Sequence, residues 1–146
     1  MVGAVLGIID YTRWPGPLRP IVLCVLGDGP LAADLVAAAA GVMAPRPLMP
    51  RQLPPPLHPT LDCDVVFFVG STPTERAELL LSMATRPVLT VGISQAFCSI
   101  GGQFCLQPGP AGVRFSVNTD AVSRSGLQVN PRVLLLGRAR PPEAPR

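Results

Sequence analysis

The sequence predicts an α/β fold: a single-domain three-layer sandwich with a mainly parallel sheet, helices on both faces and an antiparallel hairpin at one edge. Three observations support this. Ile21–Leu26 is a continuous apolar run, typical of a strand covered on both faces. Strand-like and helix-like segments then alternate, as in parallel sheets. Two strand-like runs near the end flank a turn rich in proline and glycine.

The first half of the chain supplies the beginning of this sheet. Val2–Tyr11 carries an apolar stripe with helical spacing, and Ile21–Leu26 is followed by a glycine turn and an alanine-rich helix through Ala40, with Gly41 as its C-cap. The segment 44–59 is rich in proline, which cannot donate to a ladder, so it can hold at most a short edge strand around Leu48–Leu53.

The middle of the chain repeats the strand-then-helix order. Asp64–Val69 is predicted as a buried strand. Thr72 and Glu75 form a capping box around Pro73, which begins a helix that runs to about Ala84. A further strand and a short helix are predicted next, at Pro87–Val91 and Ser94–Ser99.

The last third of the chain predicts the antiparallel edge. Gln103–Gln107 and Val113–Val117 flank a hairpin loop of about five residues, 108–112. Asn118 is placed to cap a short helix through Arg124. A final helix is expected at Pro131–Arg138, so that the domain spans residues 1–140 and a disordered tail follows at 141–146.

Composition excludes several classes of function. The net charge is +3, but the arginines are scattered along the chain, whereas a nucleic-acid surface needs a clustered basic stripe. No apolar run approaches the roughly 20 residues that cross a bilayer, so we expect a protein that is not embedded in a membrane. Val2–Ile9 lacks a basic leader; we expect it to be a helix of the domain and any export signal to be missing from this chain.

Four cysteines suggest an oxidised protein. They allow three connectivities. The sequence does not choose among them, but we favour a pair of Cys98 with Cys105, which surround a glycine turn and would close a local loop. This leaves Cys24 and Cys63, both in or beside strand candidates, as the second pair. Two disulfides would place the protein outside the reducing cytosol. The alternative is four buried free cysteines that behave as small hydrophobic residues.

Catalytic and metal sites are not visible in the sequence. No serine lies in a nucleophile elbow, and no Cys-x-x-Cys motif is present, so a thiol enzyme is the weakest hypothesis. His58, the single histidine, lies among prolines and is predicted to be a surface residue. We therefore predict no enzyme, no metal and no cofactor.

One alternative function is a small-ligand-binding sensor. Open α/β sheets place ligands at the carboxyl ends of their strands, here Gly27, Asp28 and Gly29 together with Ser71 and Thr72. Nucleotide binding is not favoured, because Asp28 puts a negative charge where a pyrophosphate would lie and Pro30 removes a backbone donor.

Phe104 has two interpretations. If Cys105 turns inward to reach Cys98, strand alternation points Phe104 the other way, where it could be an exposed aromatic anchor for a partner. In the other interpretation Phe104 packs under a neighbouring helix.

Six short elements in order resemble the YfiR family. None is specific alone, but together they run over most of the chain: Tyr11–Pro15, Cys24–Asp28, Arg86–Gly92, Gly101–Gly102, Val113–Asn118 and Gly126–Leu127. The resemblance implies a small periplasmic α/β protein with two disulfides that forms homodimers. It also implies a regulator of cyclic-di-GMP signalling that represses YfiN, an inner-membrane diguanylate cyclase, and is sequestered by YfiB, an outer-membrane lipoprotein.

The resemblance also suggests where partners bind. We expect a partner-binding surface with Phe104, Arg114, Ser116 and Val122, on the edge formed by Cys98–Phe104 and Val113–Val122. The family typically has Arg-Phe-Glu-Ile-Asn in this element, whereas this chain has Ser116 in place of the glutamate. A charge expected on that surface is therefore absent.

Overall fold

A six-stranded sheet forms the centre of the protein, in a computed structural model that describes residues 1–54 and 62–136. The spatial order is β3-β2-β4-β5-β6-β7, and every neighbouring pair is parallel except β6 with β7. The strands are β2 Ile21–Leu26, β3 Leu48–Leu53, β4 Val65–Phe68, β5 Leu89–Ile93, β6 Phe104–Gly109 and β7 Gly112–Val117. The predicted α/β class and the antiparallel edge are confirmed.

Helices cover both faces of the sheet, as predicted. On one face lie α1 (Val2–Asp10) and α2 (Pro30–Ala40), which pack on alternate residues of the inner strands such as Leu23, Phe67 and Phe104. We call this the α1/α2 face. On the other, the α3/α4 face, lie α3 (Pro73–Met83) and α4 (Gln95–Ser99). A fifth helix, α5 (Thr119–Ser125), follows β7.

Local signals explain where several helices begin and end. Thr72 accepts a hydrogen bond from the Glu75 amide at 3.1 Å, and the Glu75 carboxylate accepts one from the Thr72 amide at 2.9 Å. This reciprocal pair satisfies two amides that would otherwise lack a partner at the start of α3. Asn118 caps α5, and Gly126 ends it in a left-handed conformation. The predicted caps are confirmed.

The hairpin is tighter than predicted. β6 and β7 extend to Gly109 and Gly112, so only Pro110 and Ala111 remain between them and the expected five-residue loop is wrong. Gly112 has φ +116°, a conformation that L side chains rarely adopt, and this lets the chain reverse quickly.

The end of the described chain also differs. Pro131–Leu135 begins at its proline as predicted but is a 3-10 helix. A second small sheet was missed: β1 (Thr12–Arg13) pairs antiparallel with β8 (Gln128–Val129). These strands have two residues each, too short to give a periodic pattern, and only the folded chain brings them together.

Asp64, which lies just before β4, is hydrogen-bonded to three residues that precede it along the chain. Its carboxylate accepts hydrogen bonds from Arg19 at 2.7 and 2.8 Å and from the Val22 amide at 2.8 Å, while its carbonyl accepts one from the Trp14 indole at 3.1 Å. Asp64 is 6% exposed. The hydrogen bonds that the Arg19 guanidinium donates to the Asp64 carboxylate, together with the negative charge of that carboxylate, raise the pKa of Arg19.

Some predictions lie outside the described residues. These are the surface position of His58, the last part of the final helix and the disordered tail at 141–146. The domain limits 1–140 likewise stay a prediction.

Candidate partner-binding edge

Both predicted disulfides are present, with the predicted pairing. Cys24 on β2 is joined to Cys63, just before β4, with their Cα atoms 5.8 Å apart. Cys98 on α4 is joined to Cys105 on β6, with a Cα separation of 5.7 Å. All four cysteines are therefore used, and the oxidised protein offers none of them as a reactive thiol.

The short helix α4 is held on the sheet by an aromatic ring as well as by the disulfide. Phe97 is buried, and its ring lies 5.1 Å from that of Phe68. A Cβ atom at Gly92 or Gly102 would collide with the Phe97 ring, so both positions require glycine for packing. This accounts for one of the glycines in the Gly101–Gly102 element.

Asn118 joins three elements of the edge. Its backbone amide donates to the Gln103 carbonyl at 2.8 Å, and its side-chain oxygen accepts a hydrogen bond from the Ala121 amide at 3.0 Å. Its side-chain amide donates to the Cys98 carbonyl at 3.0 Å. The end of β7, the start of α5 and the disulfide-bonded end of α4 are thus fixed to one another.

Gln95 ties α4 to the hairpin. Its side-chain oxygen accepts hydrogen bonds from Gln107 at 3.0 Å and from the Ser116 hydroxyl at 3.1 Å. Ser116 is half-buried, and this hydrogen bond engages its hydroxyl within the chain. Sequence reasoning missed Gln95, because nothing in the local pattern shows which strand residues a one-turn helix will meet.

The predicted partner-binding residues divide between the two faces of the sheet. Arg114 is exposed and shares the α3/α4 face with Ser116, since the two lie opposite Gln107 and Cys105. Val122 on α5 is half-buried against the cluster of the α1/α2 face. The edge therefore presents Arg114 and Ser116 together, and Val122 apart from them.

Phe104 is not the exposed anchor that one interpretation predicted. It is 0% exposed and belongs to the core of the α1/α2 face, where its ring meets that of Phe115 edge-on at 5.9 Å. Strand alternation does point it away from Cys105, but that face is covered as well. The alternative interpretation, a packed phenylalanine, is the correct one.

The residues of the alternative ligand site come together at the carboxyl ends of β2 and β4. Here the chain backbones are in close contact: Gly27 has φ +124°, and a Cβ atom on it would lie 2.6 Å from the Gly70 nitrogen. The Gly27 carbonyl already accepts a hydrogen bond from Gln52, and the Thr72 hydroxyl is used in the α3 cap. Asp28 and Gly29 are exposed, and Ser71 is half-buried.

The described part of the chain contains neither a metal-binding cluster nor a helix able to span a membrane. Within residues 1–54 and 62–136, no group of three or more histidine, cysteine, aspartate or glutamate side chains is arranged to hold a metal ion. Across the same residues, none of the helices has both the length and the apolar character needed to cross a membrane.

The fold and the cysteines define a class of protein: a small, doubly wound α/β domain with two disulfides, one of which fixes a one-turn helix against an antiparallel edge. A family model described as YfiR/HmsC-like matches residues 2–138. The chain belongs to the YfiR/HmsC-like family, and the resemblance seen in the sequence is confirmed. This family suggests a periplasmic regulator of diguanylate cyclase signalling.

Proposed function

We propose that this protein is a periplasmic repressor that binds the periplasmic part of an inner-membrane diguanylate cyclase of the YfiN type and holds it inactive. An outer-membrane lipoprotein of the YfiB type would relieve repression by competing for this protein. Membership of the YfiR/HmsC-like family supports the signalling pathway. The two disulfides support an oxidising compartment.

The observation that supports the α4–β7 edge as the surface that contacts the cyclase is the rigidity of this edge. The Cys98–Cys105 disulfide, Asn118 and the Gln95 hydrogen bonds all converge on it. A surface held in one conformation loses little conformational entropy when it binds. Arg114 is the exposed charge on this edge, beside Ser116, and we assign both to the contact with the cyclase. Contact through Val122 stays a prediction.

Repression of this kind needs binding alone. If the repressor binds the inactive cyclase more tightly than the active one, it shifts the population by that difference in affinity. A differential of about 5.5 kcal/mol moves a two-state equilibrium from 99:1 to 1:99. The role assigned to Arg114 and Ser116 is recognition, with no chemical step.

A charge reversal at Arg114 tests the surface. We expect Arg114→Glu to raise cellular cyclic-di-GMP and to reduce copurification of the cyclase periplasmic region, because the exposed guanidinium is replaced by the opposite charge. Arg132→Glu makes the same change at an exposed position on the 3-10 helix and should leave both readings near wild type.

Protein abundance in the periplasmic fraction must be measured for both variants. Repression and copurification that stay normal in Arg114→Glu, at normal abundance, would contradict the assigned surface. Recovery of the wild-type protein in the cytosolic fraction, with reduced cysteines, would contradict the proposed function as a whole.

A further inference from the structure

A cleft on the α3/α4 face lies outside the partner-binding edge. Its volume is about 270 Å³, and it is bounded by the second half of α3, the turn at Ile100–Gly101 and α5. Thr90 and Gln103 contribute to its lining near the amino ends of β5 and β6. The cleft is therefore at the opposite end of the sheet from Gly27–Gly29, where the alternative ligand site was expected.

Much of the cleft wall is apolar. Ala77, Leu81 and Met83 line it from α3, and Ile100 lines it from the turn after α4. Leu81 and Ile100 are large apolar side chains that remain exposed, so both offer free apolar surface to an occupant. The volume is near the lower limit of ligand sites, roughly 300 Å³. The cleft therefore suits a small ligand with a short hydrocarbon chain.

Two buried polar side chains of the cleft have hydrogen-bond donors to spare. Thr90 Oγ1 accepts from the Gln103 amide at 3.0 Å, while the Gln103 side chain accepts from the Thr90 amide at 3.2 Å and donates to the Val88 carbonyl at 3.0 Å. The Thr90 hydroxyl proton and the second side-chain proton of Gln103 have no acceptor among the residues that the structure describes. Thr90 is 3% exposed and Gln103 4%, so these protons are costly to leave unpaired.

Arg124 brings a positive charge to the cleft. It lines the cleft from α5, and within the described residues no carboxylate side chain shares that lining. Its guanidinium pairs with Asp120 at 3.1 Å, but both side chains are largely exposed, and exposed ion pairs of this kind are weak. A second carboxylate can therefore compete with Asp120 for the guanidinium.

We propose that this cleft binds a small amphiphilic carboxylate, a free monocarboxylic acid with a short hydrocarbon chain. The spare polar groups of Thr90, Gln103 and Arg124 are all donors, and a carboxylate offers only acceptors. The hydrocarbon chain lies against the apolar wall formed by Leu81 and Ile100. An amine of the same length would bring further donors and a like charge. This proposal goes beyond the proposed function and does not depend on it.

Titration of the full oxidised chain with octanoate, followed by backbone amide chemical shifts, tests the proposal. We expect a dissociation constant of about 10 μM to 1 mM, because a ligand with few atoms gains limited binding energy. The amides of Gly101, Gln103 and Ala121 should shift, whereas the amide of Ala37, on α2, should not. Octylamine and octanol have the same chain length, and each should bind roughly tenfold more weakly or worse.

Two outcomes of this titration would overturn the proposal. One is the absence of shifts at the cleft amides when octanoate is added to the wild-type protein. The other is octanol binding as tightly as octanoate, which would indicate a cleft that accepts apolar groups in general, such as a side chain of a partner protein.

A variant that fills the cleft tests its location. Ala77→Leu enlarges an exposed side chain on α3 that lines the cleft, and we expect octanoate binding to weaken roughly tenfold or more. Ala37→Leu makes the same change at an exposed position on α2 and should bind octanoate like the wild type. An Ala77→Leu protein that is folded and binds octanoate as the wild type does would refute the assigned cleft.

Variants of the exposed ion pair test the role of charge. Arg124→Gln should weaken octanoate binding roughly tenfold, whereas Asp120→Asn removes the competing carboxylate and should tighten binding roughly threefold at low salt. Both effects should shrink at high salt. Because a general disturbance of α5 would weaken binding in both variants, changes of the same sign would contradict the role of Arg124. The readout is ligand binding to the purified protein, so these outcomes are separate from the cyclic-di-GMP measurements that test the proposed function.

Discussion

At the scale of single residues, the chain is stabilised by polar side chains with several partners each. Asp64 receives three hydrogen bonds on its carboxylate while almost fully buried, and Asn118 uses its backbone amide and both ends of its side chain. A buried charge is tolerated only when it is paired and hydrogen-bonded in this way. Such residues are costly to replace, because every partner is then left unsatisfied.

Asp64→Ala should destabilise the protein by about 3 kcal/mol, since it leaves Arg19 and the Val22 amide without their acceptor. Urea unfolding at 25 °C measures this. Asp34→Ala, at an exposed position on α2, should change stability by less than about 0.5 kcal/mol. A loss below about 1 kcal/mol for Asp64→Ala would show that the Asp64 contacts contribute little.

The pH dependence of this ion pair has a definite sign. Because Asp64 raises the pKa of Arg19, the arginine's contribution to stability is present below its unfolded pKa and is lost only as pH rises through the folded value. Both pKa values lie far above the physiological range, because a guanidinium stays protonated there. Arg19 should therefore add no pH dependence to the unfolding free energy between pH 6 and 9.

At the scale of elements, the edge depends on how α4 is attached. α4 has only five residues, too few to be stable alone, and it is held by Phe97, the Cys98 disulfide and Gln95. These attachments come from residues distant in sequence. The α4–β7 edge is therefore a product of tertiary packing.

Gln95→Ala should lower stability by up to about 1 kcal/mol, because Gln107 and Ser116 both lose their acceptor, at an exposed site where water can replace it in part. It should also speed amide hydrogen exchange in β7 more than in β2. Gln128→Ala removes an exposed glutamine on β8 and serves as the control. Unchanged exchange in β7 would mean that Gln95 does not hold the edge.

At the scale of the whole molecule, the two disulfides differ in the length of chain that they close and in their contribution to stability. Cys24–Cys63 closes a separation of 39 residues and joins neighbouring parts of the central sheet, whereas Cys98–Cys105 closes 7 residues at the edge. In the chain-entropy model the first contributes about 4 kcal/mol and the second about 2.5 kcal/mol. The larger effect on global stability should thus come from the first.

The double variants Cys24→Ser/Cys63→Ser and Cys98→Ser/Cys105→Ser test this division. We expect the first to lose more unfolding free energy in urea, and the second to lose more repression, read as cyclic-di-GMP per unit of periplasmic protein. The two variants serve as controls for each other. Repression that stays normal without Cys98–Cys105, at normal abundance, would contradict a role for that disulfide at the partner surface.

The sequence by itself determined the α/β class, the order of the five α-helices and the six central strands, and the α3 and α5 caps, because apolar runs and capping residues act within a few neighbouring positions. It also favoured the correct disulfide pairs. Only the tertiary structure decided that Phe104 is buried, that Gln95 holds Ser116, and that Arg114 and Ser116 share a face. Those outcomes depend on which surfaces are covered by segments distant along the chain, and local sequence patterns do not show which distant segments will pack there.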